Sequence, residues 1–246
     1  MRKTNISKED IILLNDELST GQLSNDFTVA RYLSFSKLKS LFSEKCFYIS
    51  NINRMTDKNE RKIPDGFFRR FPNPESIETY KELDKLLDNV HQSYVSCWTK
   101  YNTENFALWK IYCPKNDGIC VVTKISKLRE YFKNYMFACF EVEYIDFNKS
   151  GEKMPWILTE NDYNIRGKEK FKISPYKYEE EIRFVAYSKK NSNGLKLYFD
   201  DYSWIDKIII SPFANKEVRD KITIFLSEYI NADIIEDSLI KEKTDK

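Results

Sequence analysis

The chain has 246 residues, of which 41% are hydrophobic and 15% aromatic, so it has enough apolar side chains for a sizeable core. Forty basic residues against 38 acidic ones give a net charge of +2, which excludes the global basic field of nucleic-acid and membrane-surface binders. No run of about 18 apolar residues is present, and the N-terminus lacks a signal peptide's apolar stretch. We therefore expect a cytoplasmic protein that does not bind a membrane.

The cysteines and the histidine give no sign of a metal site. The five cysteines are odd in number, lie in apolar runs and form no CxxC pair: Cys46, Cys97, Cys113, Cys120 and Cys139. This pattern favours reduced core residues over metal ligands or nucleophiles. His91 has no second histidine to work with, so we expect neither a zinc site nor a His-based triad.

The sequence shows no internal repeat, and only its two ends look dispensable. A polar segment over residues 1–26 and a charged tail over residues 239–246 flank the predicted domain. We expect residues 27–238 to form a single domain.

In the first half of the chain the pattern alternates between strands and helices. The predicted elements are strand 28–32, helix 37–43 with Ser36 as its cap, strand 46–50, an irregular stretch over 51–74, helix 76–90 and strand 94–99. Irregular stretches of such length are usually functional or disordered.

In the second half, strands come to dominate. The predicted elements are helix 105–113, strand 118–124, helix 126–133, strand 136–145, a hairpin of strands 181–188 and 195–200 with its turn at 191–194, strand 207–211, helix 217–230 and a closing segment 232–235. This order predicts an α+β fold, a single domain with a mixed, largely antiparallel sheet and packed helices.

The segment Tyr176–Val185 places charged side chains in a predicted strand. Because side chains alternate along a strand, Glu179, Glu181 and Arg183 share one face. A covered strand that carries two carboxylates and an arginine is costly and more often functional, with one carboxylate held ionised and the other raised in pKa. The alternative is an exposed edge strand, on which Arg183 relieves the repulsion between the two acids.

Two other strands carry candidate binding residues. Arg31, at the end of the first strand, can clamp a phosphate or a carboxylate, or else pair with a surface acid. Ser96, Trp98 and Thr99 suit a pocket that stacks a flat ring and hydrogen-bonds its amide, or else Trp98 belongs to a tryptophan core cluster. Trp109 and Tyr112 lie three residues apart on one face of a predicted helix, and core packing is the better interpretation for this pair.

The loop that follows strand 46–50 is a further candidate region. Ser50, Asp57 and Glu60 lie where this strand enters the irregular stretch, although loop carboxylates are usually solvated.

These places, in this order, resemble the bacterial domain-of-unknown-function 2971 family. The matching residues are Arg31-Tyr32, Cys97-Trp98-Thr99, Leu108-Trp109-Lys110-Ile111-Tyr112, Gly118-Ile119-Cys120, Lys172, Tyr176, Tyr178, Glu179, Glu181 and Arg183. The family's loop pattern is kept only at Asp57 and Glu60. The family name implies no activity.

The order of an early arginine, a middle Ser/Thr-aromatic strand and a late Glu-x-Glu is also similar to the ADP-ribosyltransferase arrangement. That resemblance implies NAD as the co-substrate, with Arg31 on its phosphates and Ser96 with Thr99 at the nicotinamide. It further implies that Glu181 contacts the nicotinamide ribose and that Glu179 orients the acceptor. We add Trp98, Arg183 and Tyr178 to the substrate-binding set.

The leading hypothesis is therefore an NAD-dependent ADP-ribosyltransferase-like or NAD-cleaving enzyme of bacterial toxin or phage-defence type, without a metal. Its acceptor would be a protein or a nucleic acid, and it would work with a partner protein of a defence system. The alternative is a non-catalytic ligand- or protein-binding regulatory module of such a system. A third hypothesis, nucleic-acid processing through Arg61, Arg69 and Arg70, is disfavoured by the near-neutral charge.

Overall fold

A nine-stranded sheet organises the residues that the computed structural model describes, which are 27–57, 59, 73–75, 77–79, 81–82, 92–132, 138–146, 168–188 and 190–240. The strands are β1 (Thr28–Ser34), β2 (Cys46–Asn51), β3 (Gln92–Lys100), β4 (Gly118–Lys124), β5 (Ala138–Glu141), β6 (Glu143–Ile145), β7 (Phe171–Ile173), β8 (Glu181–Ser188), β9 (Gly194–Tyr198), β10 (Lys207–Ile210) and β11 (Ile235–Glu236). The helices are α1 (Phe35–Glu44), α2 (Phe106–Tyr112), α3 (Ile125–Phe132) and α4 (Lys216–Ser227), and short 3₁₀ turns cover Ile52–Arg54, Lys168–Lys170, Ser174–Glu179 and Ala232–Ile234.

The strands of the large sheet follow the order β11-β10-β4-β1-β3-β2-β9, with β8 on the far edge of β3 and β5 beyond it. Each pair is antiparallel except β10 with β11. β6 and β7 form a separate parallel pair. The α+β fold with a mixed, mostly antiparallel sheet is therefore confirmed.

The sheet splits along one edge of β3. On its other edge, β3 pairs with β8 from Gln92 to Thr99. On the split edge, β1 pairs with Thr99 and Lys100, whereas β2 pairs with Tyr94 and Val95 at the opposite end. β1 and β2 therefore diverge beside the middle of β3, and a cleft opens between them.

The main core lies on one face of this sheet and is rich in aromatic rings. Phe47 contacts the Trp204 ring at a centroid distance of 4.7 Å, and Trp98 meets the same ring edge-on at 6.3 Å. From β8, Ile182 and Phe184 enter this core. The opposite face of β8, which carries Glu181, is also buried, so this strand is covered on both sides.

The termini of several elements differ from the prediction. Ser36 lies inside α1, which begins at Phe35 with Ser34 as its N-cap residue, so Ser36 does not cap the helix. The predicted strand 136–145 is divided at Val142 into β5 and β6. The predicted helix 76–90 is described only in part, and its described residues up to 82 are helical.

The predicted hairpin of strands 181–188 and 195–200 is wrong. β8 and β9 are strands, but β8 pairs with β3 and β5, whereas β9 pairs with β2. Both edges of β8 are occupied, so β9 has no edge of β8 to pair with.

The predicted strand 181–188 has the observed bounds, but only one of the two predicted strand carboxylates lies in it. Glu179 ends the 3₁₀ turn Ser174–Glu179, and Glu180 adopts a left-handed backbone conformation with φ 42°. The strand therefore begins at Glu181, and Glu179 does not share its face by strand alternation.

Part of the predicted organisation falls outside the described residues. This holds for the segment 1–26, for His91, and for Glu60, Arg61, Arg69 and Arg70. At the other end, two residues of the predicted tail contact the domain, because the Leu239 amide donates to Glu104 and Ile240 packs against buried residues. The division of the chain into one domain with two dispensable ends stays a prediction.

Candidate functional site

A cleft of about 360 Å³ lies where β1 and β2 diverge from β3. Its volume is in the range of small-molecule sites. Its lining residues come from the strands β1, β2, β3, β7 and β8, from the helices α1 and α2, from the 3₁₀ turn Ser174–Glu179 and from the stretch after β2. Of the predicted site residues, Arg31, Trp98, Thr99, Glu179 and Glu181 line this cleft.

The remaining three predicted residues do not line the cleft. Ser96 and Arg183 are buried, at 0% and 1% exposed, and Tyr178 is 40% exposed outside the lining. Tyr176, two residues earlier in the same turn, takes the place expected for Tyr178.

Glu181 is held as a carboxylate by two cations. Arg183 binds it through both oxygens, with Nε 3.0 Å from Oε1 and Nη2 3.0 Å from Oε2. The ammonium of Lys172 lies 3.2 Å from Oε2. Burial by itself would raise the pKa of Glu181, but Arg183 and Lys172 outweigh it and hold the pKa at about 2.

Glu179 reaches the same place from the 3₁₀ turn and has a different environment. Its Oε2 accepts from Lys172 at 2.5 Å, and its Oε1 accepts from the hydroxyl of Tyr112 at 3.2 Å. Burial raises the pKa of this carboxyl, and Lys172 offsets part of the effect. The pKa of Glu179 is therefore raised and that of Glu181 is lowered, because the two carboxyl groups lie in different environments.

Hydrogen bonds to backbone groups hold the segment between the two acids in place. The Thr99 hydroxyl donates to the Glu179 carbonyl at 2.5 Å, and the Lys100 amide donates to the Glu180 carbonyl at 2.9 Å. The Glu181 amide donates to the hydroxyl of Tyr144 at 2.8 Å. The side chain of Glu180 itself is exposed.

Arg31 lines the same cleft from β1. Its Nη1 is 3.4 Å from the Ser96 hydroxyl, and its guanidinium lies 5.8 Å from the centre of the Trp98 ring. Burial lowers the pKa of Arg31, with Cys97 and Tyr112 acting in the opposite direction. Among the described residues, no carboxylate pairs with Arg31.

Lys37 adds a second cation beside Arg31. Burial lowers the pKa of Lys37, and the charge of Arg31 lowers it further. Two neighbouring cations without an acid partner among the described residues form a wall suited to an anion.

Ser96 and Trp98 support Arg31 from behind. The Ser96 hydroxyl accepts from Nε1 of Trp98 at 3.0 Å as well as from Arg31. Trp98 is only 2% exposed and packs in the core, as the alternative interpretation of this residue had it. Ser96 and Trp98 therefore position Arg31, and Tyr32, Tyr112 and Tyr176 also bring aromatic rings to the lining.

Sequence reasoning named Lys172 only within the family resemblance, without a role in the site, and it assigned Tyr112 to the core. Tyr112 is 40% exposed and lines the cleft, whereas its neighbour Trp109 is buried. For Tyr112 the available signal was the polar hydroxyl on a short amphipathic helix. Lys172 lies nine residues before Glu181 on a different strand, and no periodicity connects the two.

Asp57 is the described acid of the loop after β2, and it lines the cleft. Its Oδ1 accepts from the Asn59 amide at 2.9 Å, whereas Oδ2 is buried without a hydrogen-bond partner. Such an oxygen can accept from a ligand hydroxyl.

No protein-family model matches this chain, no curated protein matches it, and no solved structure matches its fold. The two resemblances noted in the sequence therefore stay predictions. In the described part of the chain, no three histidine, cysteine or acidic residues cluster as metal ligands would. None of the described helices is long and apolar enough to cross a membrane.

Proposed function

We propose that the cleft binds a nicotinamide dinucleotide and that the protein cleaves the bond between nicotinamide and ribose, as an ADP-ribosyltransferase-like or NAD-cleaving enzyme. One observation carries this proposal: Glu181 and Arg31, from strands far apart in the sequence, line the same cleft at the split of the sheet. The charges and aromatic rings of the lining support this choice of ligand.

The reaction needs a fixed negative charge beside the ribose. Breaking the bond from ribose C1′ to the nicotinamide nitrogen sends the electron pair to nicotinamide and leaves oxocarbenium-like positive charge on the ribose. Glu181, with a pKa of about 2, is ionised at neutral pH and can stabilise that charge. Glu179, whose pKa burial raises, is suited to take the proton of the attacking acceptor.

The remaining lining suits the rest of the dinucleotide. Arg31 and Lys37 supply positive charge for its two phosphates. Tyr112 and Tyr176 present aromatic rings on which a flat base can stack.

One observation favours the alternative of a non-catalytic ligand-binding module. Both oxygens of Glu181 are already bound by Arg183 and Lys172, as in a buried structural ion pair. In that case the cleft would still bind an anion through Arg31 without cleaving it.

The cellular setting belongs to the proposal as well. Five free cysteines, four of them buried, are compatible with a reducing compartment, which supports a cytoplasmic location. A protein or nucleic-acid acceptor, a partner protein and a role in phage defence follow from the proposed activity and are proposals with it.

The test compares two neighbouring glutamates. Glu181→Gln should abolish nicotinamide release from NAD, since the variant removes the charge that stabilises the transition state. Glu180→Gln, a change at an exposed side chain, should keep wild-type release. Nicotinamide is measured by chromatography, and circular dichroism checks that each variant is folded.

Arg31→Gln provides a second test that does not disturb a buried ion pair, because Arg31 pairs with no described carboxylate. NAD binding, measured by calorimetry, should weaken by roughly tenfold or more, the loss expected for a charge-assisted contact. If wild-type protein neither binds NAD nor releases nicotinamide, the enzyme proposal is wrong. Binding without release would support the module.

A further inference from the structure

The ammonium of Lys172 lies between the two carboxylates of the cleft. It is 2.5 Å from Oε2 of Glu179 and 3.2 Å from Oε2 of Glu181, and its side chain is 8% exposed. A buried lysine that bridges two acids fixes the charge of this part of the site. If the proposed function holds, this fixed charge determines which kind of acceptor can take up the ADP-ribosyl unit.

A guanidinium acceptor needs a carboxylate that can offer both of its oxygens at once. A guanidinium binds best through two parallel hydrogen bonds to one carboxylate. Glu179 already uses Oε2 for Lys172 and Oε1 for Tyr112, and Glu181 uses both oxygens for Arg183. A guanidinium bound in this way would have to displace Lys172 or Tyr112 from Glu179, or Arg183 from Glu181. A single hydroxyl needs only one further lone pair of one carboxylate oxygen.

The other charges of the cleft also oppose a cation. Beyond the bridged acids, the charged lining residues are Arg31, Lys37 and Arg54 against Asp57 alone. This excess of positive charge repels a further cation, and in a partly buried site the repulsion is weakly screened. A neutral hydroxyl meets no such repulsion and can donate to Glu179.

We propose that the acceptor is a neutral hydroxyl group, of which water is the simplest case, and that Lys172 excludes guanidinium and ammonium acceptors. The bond from ribose C1′ to the nicotinamide nitrogen breaks and its electron pair leaves with nicotinamide. The acceptor oxygen forms the new bond to C1′, and its proton passes to Glu179 and then to solvent.

The experiment measures how the ADP-ribosyl unit is divided among acceptors. Full-length protein is incubated with NAD alone, with methanol, or with agmatine, whose guanidinium is the cationic probe. Chromatography quantifies nicotinamide, free ADP-ribose, the methyl glycoside and the agmatine adduct. We expect free ADP-ribose in every arm, the methyl glycoside with methanol and no agmatine adduct.

A variant of Lys172 then tests its part in this selection. Lys172→Ala removes the ammonium and leaves room for a guanidinium head between the acids. The ratio of agmatine adduct to free ADP-ribose should rise by roughly tenfold or more once the like-charge repulsion is gone. Lys170→Ala is the matched control, because Lys170 pairs with Glu143 at 2.6 Å outside the cleft lining, and it should keep the wild-type ratio.

The outcomes separate this inference from the proposed function. An agmatine adduct formed by the wild-type protein would overturn the inference while nicotinamide release leaves the proposed function standing. Absence of nicotinamide in every arm would overturn the proposed function and the inference with it. If Lys172→Ala does not fold, the comparison of methanol with agmatine in the wild-type protein still tests whether a cationic acceptor is excluded.

Discussion

At the scale of single residues, the buried ion pairs around Glu181 couple the candidate site to stability. Glu181 is bound by Arg183 and Lys172, and together they hold its pKa at about 2, well below the value near 4.5 of an unfolded chain. A carboxyl with a depressed pKa stabilises the fold fully above the unfolded pKa. That contribution is lost as the pH falls from about 4.5 toward 2.

Acid should therefore weaken the protein through Glu181. The full contribution is on the order of 3 kcal/mol, from a shift of about 2.5 pKa units at 1.36 kcal/mol each. Urea unfolding of wild type and of Glu181→Gln should give free energies of unfolding that differ at pH 7 and converge between about pH 4.5 and 2. Glu179, with its raised pKa, acts in the opposite direction because its ionised form costs stability at neutral pH.

Glu180→Gln serves as the control for this pH dependence, because its side chain is exposed beside the same strand. Its free energy of unfolding should stay parallel to that of the wild type at every pH. A difference between wild type and Glu181→Gln that stays constant down to pH 2 would rule out the low pKa as its cause.

The site residues show what sequence reasoning reaches at this scale. Glu181, Arg31 and Thr99 were predicted and line the cleft, because unusual charge or polarity in a strand is visible in the sequence. Lys172 was given no role in the site, because its approach to Glu179 and Glu181 depends on the tertiary position of β7. Ser96 was assigned to the pocket, but the divergence of β1 from β3 places it under Arg31.

At the scale of elements, helix α2 links its N-cap residue, Asn105, to the cleft. The side chain of Asn105 accepts from the amides of Ala107 and Leu108 at 2.9 and 3.3 Å, and its Nδ2 donates to the carbonyl of Tyr178 at 3.1 Å. Seven residues after this cap, Tyr112 donates to Glu179. The cap thus joins the start of α2 to the turn that carries the first acid.

Replacing this cap should affect both stability and ligand binding. Asn105→Ala should lower the free energy of unfolding by about 1 kcal/mol, as loss of an N-cap usually does. NAD binding should weaken as well, because both α2 and the turn lose a tie that positions Tyr112 and Glu179. Thermal unfolding and calorimetric titration measure the two effects.

Asn215 offers a matched comparison. It caps α4 by accepting from the Val218 amide at 2.9 Å, and neither residue lines the cleft. Asn215→Ala should cost a similar amount of stability without weakening NAD binding. Equal loss of binding in both variants would show that the effect of Asn105 is general destabilisation.

Most elements were predictable, but their pairing was not. Strands such as β4 are continuous buried runs, and the predicted strand 118–124 has the observed bounds. The turn residues at 191–194 predicted a hairpin. Which strands pair, however, depends on which strand edges are already occupied by segments distant in the sequence. The 3₁₀ turn before Glu181 did leave a local signal, since Pro175 lies at its start, where proline favours a helical turn.

At the scale of the whole molecule, the C-terminal segment closes the fold against a buried acid. Glu104 is 8% exposed and accepts from Nε1 of Trp109 at 3.0 Å, from the Ser238 hydroxyl at 2.6 Å and from the Leu239 amide at 2.6 Å. Two of its three donors therefore come from the start of the predicted tail and the residue before it, Leu239 and Ser238.

Two truncations should differ sharply in stability. A chain that ends at Ile240 keeps both donors and should unfold at the wild-type temperature. A chain that ends at Asp237 leaves Glu104 with one donor, and we expect a loss of about 1 to 3 kcal/mol, the cost of an unsatisfied buried polar group. Differential scanning calorimetry of the two truncated proteins makes the comparison, and equal melting temperatures would show that Glu104 does not need these donors.

The split of the sheet has a consequence for how such a protein could evolve. β1 and β2 are each held in place by a further neighbour, β4 and β9 respectively, whose own residues do not line the cleft. Substitutions in those outer strands would tilt the walls and change the width of the opening. New ligand preferences could thus arise while every lining side chain stays the same.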